Sequence, residues 1–170
     1  DGLWAFGTFL ATLVMAVLAP VLGAIGDFKG MKKKLLVSFL LLGLTFTLAA
    51  GLAGYWPLML AAYVLSYIGF MGSNLFYDSF LTDVTTKDRM DKVSAWGYGM
   101  GYIGGSTIPF ILSIILIMAG PSLGLGEVLP VRLSVIRDVI CWGLFSTPPL
   151  DNVDQRSYPE PPPARLLQQA

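Results

Sequence analysis

Histidine is absent from this chain, and cysteine occurs once, at Cys141. The first absence removes the side chain that most often serves as a near-neutral acid, base or metal ligand. The second excludes an internal disulfide, and no Cys/His grouping has metal-ligand spacing. Charge is scarce as well: Asp, Glu, Lys and Arg make up 13% of the chain, about half the share usual in soluble globular proteins. P-loops, nucleophile elbows and dinucleotide fingerprints are missing. With no His, and no Lys inside the apolar runs, nothing is at hand to activate a nucleophile, so an enzyme reading lacks a catalytic set. Aromatic residues lie within apolar runs instead of alternating with basic ones, which gives nucleic-acid binding no support. Neither a cofactor nor a metal is expected.

Apolar residues are what the chain has in plenty, at 55% with a mean hydropathy of +0.68. A helix needs about 20 such residues to cross a bilayer. Runs at 3–25, 35–53, 56–81 and 96–119 meet that need, and 129–150 forms a fifth, more polar segment. The first four hold no Lys, Arg or Glu, as insertion requires when a charge at a helix centre costs about 2.5–3.5 kcal/mol. The expected fold is therefore an all-α membrane protein, a polytopic transmembrane helix bundle of about five helices over residues 1–150. A soluble core would leave too little polar sequence to cover four such runs. A signal peptide fits 3–25 poorly, because no basic stretch precedes it and Pro20 and Gly23 lead into lysines instead of a cleavage site. The chain opens on Asp1 without Met, so a piece of a longer protein is expected.

Lysine and arginine orient the runs. The first connection carries Lys29, Lys32, Lys33 and Lys34, and the third carries Lys87, Arg89 and Lys92. Between them, Gly54 and Tyr55 are uncharged, and beyond residue 119 only Glu127 precedes Arg132. Short basic connections stay in the cytoplasm, which places 27–34 and 82–95 there and sets Tyr55 and Trp56 in an outer aromatic belt. The polar tail 151–170, with Pro159, Pro161, Pro162 and Pro163, reads as a Pro-rich cytoplasmic linker, or alternatively as a ligand for a partner domain. The expected location is a bacterial-type inner or plasma membrane, crossed several times, with lipid as the first partner.

Polar residues inside the runs are the candidates for function. Asn74 and Asp78 are four apart on one helix face, beside Tyr77 and near Ser66 and Ser73. About 20 residues from Trp56, Asn74 reaches the inner edge of the hydrocarbon and Asp78 the interface. They read as pathway or inner-gate residues, Asp78 as proton-linked, or else as groups that are simply wet. Gly97, Gly101 and Gly105 follow at four-residue steps, a ridge for helix packing that also suits the sliding of alternating access. Pro109 is expected to add a bend. In the fifth segment Arg137 and Asp138 are adjacent, about 100° apart on a helix, so a simple same-face pair is not expected. They read as contacts for a substrate or ion in a wet interior, or as charges of a segment lying in the interface.

The stretch Gly23-Ala-Ile-Gly-Asp-Phe-Lys-Gly-Met-Lys-Lys-Lys34 resembles the signature loop of the major facilitator superfamily. Gly23, Gly26, Asp27, Gly30 and Lys32 occupy matching places, while Phe28 and Met31 depart from basic residues common there. The wider pattern, with Leu18 to Asp27, Phe76-Tyr-Asp-Ser-Phe-Leu-Thr-Asp83 and Asp91-Lys-Val-Ser-Ala-Trp-Gly-Tyr98, is similar to transporters related to the fungal autophagy-linked vacuolar effluxer. The resemblance implies the second to sixth helices of a twelve-helix protein, and hence a missing C-terminal helical half as partner. It also implies a loop that latches one half to the other and biases the inward/outward equilibrium.

Physically, Gly26 and Gly30 allow a tight turn, Asp27 can accept hydrogen bonds from the start of the next helix, and lysines can meet anionic headgroups. The plain alternative is a topogenic lysine loop with incidental glycines. The expected function is secondary active transport of a small-molecule solute, by family analogy an amino acid, through alternating access with a coupling proton or ion. The other reading is a transport-inactive membrane scaffold or receptor-like protein of the same fold.

Overall fold

Backbone groups in a bilayer find no water, so an apolar run must satisfy them within itself and becomes helical. The computed structural model describes residues 2–156, and all regular structure among them is helical. The long helices are α1 (Gly2–Gly26), α2 (Met31–Leu52), α3 (Trp56–Ser79), α4 (Met90–Ala119) and α5 (Val128–Asn152). One further turn, Leu81–Val84, follows α3 across Phe80. The first four are long and apolar enough to cross a membrane. Punctuation follows local chemistry. Pro57 sits in the first turn of α3, where its missing N–H costs nothing. After α4, Pro121 opens a single 3₁₀ turn, Pro121–Leu123, and left-handed glycines at 124 and 126 redirect the chain into α5.

Some boundaries differ from those read off the apolar runs. Helix α2 starts at Met31, so Lys32, Lys33 and Lys34 form its first turn instead of a loop. Likewise α4 starts at Met90 and includes Lys92. Lys34 and Lys92 are exposed and stretch toward water, whereas Lys32 is buried, and an apolar count undershoots the helix in either case. In α4 the segment Gly101–Thr107 is a π-helix that runs directly into Pro109. Proline has no N–H to offer, and the turns that precede it widen to bond i to i+5, as Ile108 N–H does to the Ile103 carbonyl.

Packing places the helices in the order α1, α3, α2, α5, α4, each against the next, with α1 also touching α2. Small residues decide where backbones meet, as they must where lipid removes the usual hydrophobic drive. A Cβ on Gly69 would land on the backbone of Gly43, and one on Gly72 would strike the Phe39 ring. On its other side Gly43 takes the edge of Trp142 from α5, while Gly51 faces Val135 and Gly7 faces Leu60 and Val64. A hydroxyl pair, Thr47 and Ser66 at 2.6 Å, adds a polar contact to the α2–α3 seam. The expected ridge of Gly97, Gly101 and Gly105 has nothing within 4 Å among the described residues. No residue of α4 is buried there.

Gly69→Leu is expected to force α2 and α3 apart and to destabilise the full-length protein by about 1–3 kcal/mol or more. Thermal unfolding in detergent checks this, with Gly54→Ala, which meets open space, expected to leave the midpoint unchanged.

Candidate functional site

Lys32 shares a face of α2 with Leu36, Leu40 and Gly43, and all four are buried. Its ammonium is therefore carried inward toward α3. A tighter turn at Phe80 leads into Leu81–Val84, where Asp83 meets it: Lys32 Nζ to Asp83 Oδ2 is 2.9 Å, with side-chain exposures of 7% and 0%. The same ammonium donates to the Ser79 carbonyl at 3.3 Å and lies 5.8 Å from the Phe80 ring centroid. Beneath it Leu36, Phe76 and Phe80 form an apolar cluster joined by Leu22, Leu35, Phe39, Leu150 and Val153. A charge pair this dry holds only while both members remain, since stripping one partner leaves an uncompensated charge at a cost of about 3–5 kcal/mol.

The signature loop sits on this pair. Gly30 adopts φ 74°, the left-handed turn that glycine supplies. Gly26 is helical, and its need for glycine is proximity, because a Cβ there would come within 2.8 Å of the Phe76 ring. Gly23 meets open space. The expectation that Asp27 caps α2 is not met: the N-cap is Gly30, without a side-chain cap bond, and Asp27 is exposed. The expectation that Lys32 is a headgroup anchor is also overturned, because its place on the apolar face of α2 buries it.

A third strand of chain completes the cluster. Residues 153–156, beyond α5, return to the loop instead of leaving it. Gln155 accepts from Gly30 N–H at 2.9 Å and donates to the Gly26 carbonyl at 3.1 Å. Arg156 N–H donates to Asp83 Oδ1 at 3.0 Å. Lys33 reaches the Val153 carbonyl at 3.4 Å and, weakly, Asp154 at 3.8 Å. Thus the start of the expected Pro-rich linker is held in place, while residues 157–170, with its prolines, lie outside the described residues. Sequence reading passed over Asp83 and Gln155. The recurrence of Lys32, Leu36, Leu40 and Gly43 on one face was the signal that Lys32 needed a buried anion.

The other candidates fall on α3, α4 and α5. Asn74, Tyr77 and Asp78 are exposed on α3, and Asp78 accepts from Tyr98 of α4 at 3.1 and 3.2 Å. Tyr98 lies next to Gly97, so the glycine ridge borders this contact. Arg137 and Asp138 do pair, at 2.6 Å, contrary to the helical-wheel argument. The long guanidinium stem swings far enough to offset the angular separation. The same guanidinium bonds the Pro109 carbonyl at 2.7 Å and the Ser113 hydroxyl. It thereby ties α5 to α4 and is committed to structure on three sides. No three His, Cys, Asp or Glu side chains gather into a metal site among the described residues.

The family described as "Vacuole effluxer Atg22 like" matches residues 4–168. The chain belongs to that family. It is 45% identical over 157 residues to a protein of Bacillus subtilis (strain 168) described as the MFS-type transporter YxiO, an alignment covering 88% of this chain and 36% of that protein. The chain thus spans about a third of the length of that relative, and its five-helix bundle is a major-facilitator-like half. No solved structure matches it. Within this Atg22-like chain the loop, the Leu81–Val84 turn and residues 153–156 form one cluster, while Asn74, Tyr77 and Asp78 open onto a separate face.

In a double-mutant cycle, Lys32→Met and Asp83→Leu are each expected to destabilise the protein by about 3–5 kcal/mol, while the double variant recovers most of the loss, because two apolar groups leave no lone buried charge. Chemical or thermal unfolding of the four proteins measures the coupling.

Proposed function

We propose that this chain is the N-terminal helical half of a secondary active transporter that moves a small polar solute by alternating access. One contrast supports the reading above all. The exposed face of α1 is apolar, with Leu3, Phe6, Phe9, Leu13, Val17 and Val21, as lipid contact demands. The accessible face of α3 instead carries Tyr63, Tyr67, Asn74, Tyr77 and Asp78 within one helical stripe. An amide and a carboxylate are expensive against hydrocarbon, so such a face belongs on a wet passage or against further protein.

Aromatic contacts organise the stripe. Trp4 stands edge-on to Tyr63 at 5.1 Å, and Tyr63, Tyr67 and Phe70 follow in a stacked row at 6.1 and 6.3 Å. Such a row holds its rings in place before a solute arrives. Asp78, gripped by Tyr98, is assigned as an inner-gate residue and as the carboxylate through which a proton is coupled. Asn74 and Tyr77 are assigned to the pathway. The lysine-rich end of the bundle is taken to face the cytoplasm, a reading that its excess of Lys and Arg supports, and α5 is taken as a fifth crossing because it packs along α2 and α4. The loop from Gly23 to Lys32 acts as a conformational latch, with the exposed Asp27 directed to the C-terminal half. Gly97, Gly101 and Gly105 offer that half a surface on which to slide. Amino acids are the first solutes to test.

In vesicles reconstituted with the full-length protein, solute flux is expected with the native sequence and to fall to background with Asp78→Asn. Asp27→Ala is expected to slow flux without weakening solute binding. Leu13→Ala, on the lipid-facing side of α1, is expected to behave as the native protein. Binding of a partner through residues 151–170 with no flux for any solute would replace this reading with the scaffold.

A further inference from the structure

The geometry points to Gln155 as a positioning residue: its side-chain amide splints the Gly26–Gly30 turn and ties it to the segment after α5, so that turn and segment change state together. The inference rests on the reading of the loop as a conformational latch.

Consider which backbone groups the turn can satisfy alone. Asp27 N–H bonds the Gly23 carbonyl, Phe28 N–H the Ile25 carbonyl, and Met31 N–H the Phe28 carbonyl. None of these bonds uses the Gly26 carbonyl, at the end of α1, or the Gly30 N–H, at the start of α2, both of the kind that helix termini orphan. Gln155 meets both, accepting from Gly30 at 2.9 Å and donating to Gly26 at 3.1 Å, with a longer approach to the Asp27 carbonyl at 3.5 Å. An amide side chain carries a donor and an acceptor side by side whatever the pH, and this assignment of its oxygen and nitrogen is the one both partners accept. A carboxylate at this position could serve Gly30 and would face the Gly26 carbonyl without a proton to offer.

The residues flanking Gln155 are anchored independently. Arg156 N–H lies on Asp83 of the buried ion pair, and Leu150 and Val153 pack on the Leu36, Phe76 and Phe80 cluster. A displacement of the segment after α5 therefore pulls on the turn through Gln155, on the ion pair through Arg156, and on the apolar cluster beneath them. Neutral hydrogen bonds shift an equilibrium by only a few-fold each. They are weak enough to be broken and remade in a cycle, unlike the Lys32–Asp83 pair, whose separation leaves a buried charge alone.

Hydrogen–deuterium exchange on the full-length protein tests the splint without needing transport. Gln155→Ala is expected to raise exchange in the peptide covering 26–31 by about fivefold, the factor set by one ordinary hydrogen bond. Gln155→Glu is expected to keep Gly30 protected. In the flux assay Gln155→Ala is expected to change the maximal rate with the KM for solute unaltered. Unchanged exchange in Gln155→Ala overturns the splint, whether or not the protein transports. Raised exchange with an unchanged maximal rate overturns the positioning role and leaves only static packing, and a changed KM alone assigns Gln155 to solute contact instead. A native protein with no flux defeats the transporter reading separately, while the exchange arm still decides the splint.

Discussion

A lysine and an aspartate stripped of water must stay together, and much of this bundle's loop end is arranged around that requirement. Lys32 and Asp83 are held at 2.9 Å with almost no side-chain exposure. In so dry a site their attraction is strong, and so is the penalty for leaving either alone. The constraint ties the turn that follows α3, Leu81–Val84, to the first turn of α2. It also gives the Gly26–Gly30 turn a floor to rest on, and it gives the chain after α5 a carboxylate oxygen to return to. Three segments distant in sequence are thereby fixed to one point.

Glycine does two different jobs in this molecule. At Gly43, Gly69 and Gly72 it removes a side chain where helices would otherwise collide, and the α2–α3 seam forms the centre of the bundle. At Gly97, Gly101 and Gly105 the space is open, and the same residue type marks a surface without a partner in the described chain. The π-helical stretch Gly101–Thr107 lies there, one turn beyond the Tyr98 that meets Asp78. The bundle thus has a close-packed seam at its centre and a glycine-lined helix at its edge.

Polarity divides the outside of the bundle in a similar way. Lipid-suited residues cover α1, whereas tyrosines, an asparagine and an aspartate line one stripe of α3. Arg137, by contrast, is not left for a passing solute, because Asp138, Pro109 and Ser113 already occupy its guanidinium. The polar residues of this Atg22-like chain thus sort into ties between helices and an exposed stripe on α3, whose Asp78 is met by Tyr98 of α4.

Much of the architecture was legible without coordinates. Apolar runs free of Lys, Arg and Glu can only be helices in a membrane, so the helical class, the number of long segments and the family resemblance follow from local composition and the Gly23 to Lys34 motif. Helix ends were less legible, because lysines at α2 and α4 termini are compatible with both helix and loop. Tertiary structure alone decided which partners meet. Lys32 finds Asp83 because α2 and α3 cross at Gly43 and Gly69, and Gln155 finds Gly26 and Gly30 because α5 packs along α2 and delivers its last residues to the loop. Such pairings join positions more than a hundred residues apart in the second case, and hydrogen-bond chemistry at each position is the same whether or not a partner is near. Local sequence therefore set what each segment is, and packing geometry set what each charged or polar group does.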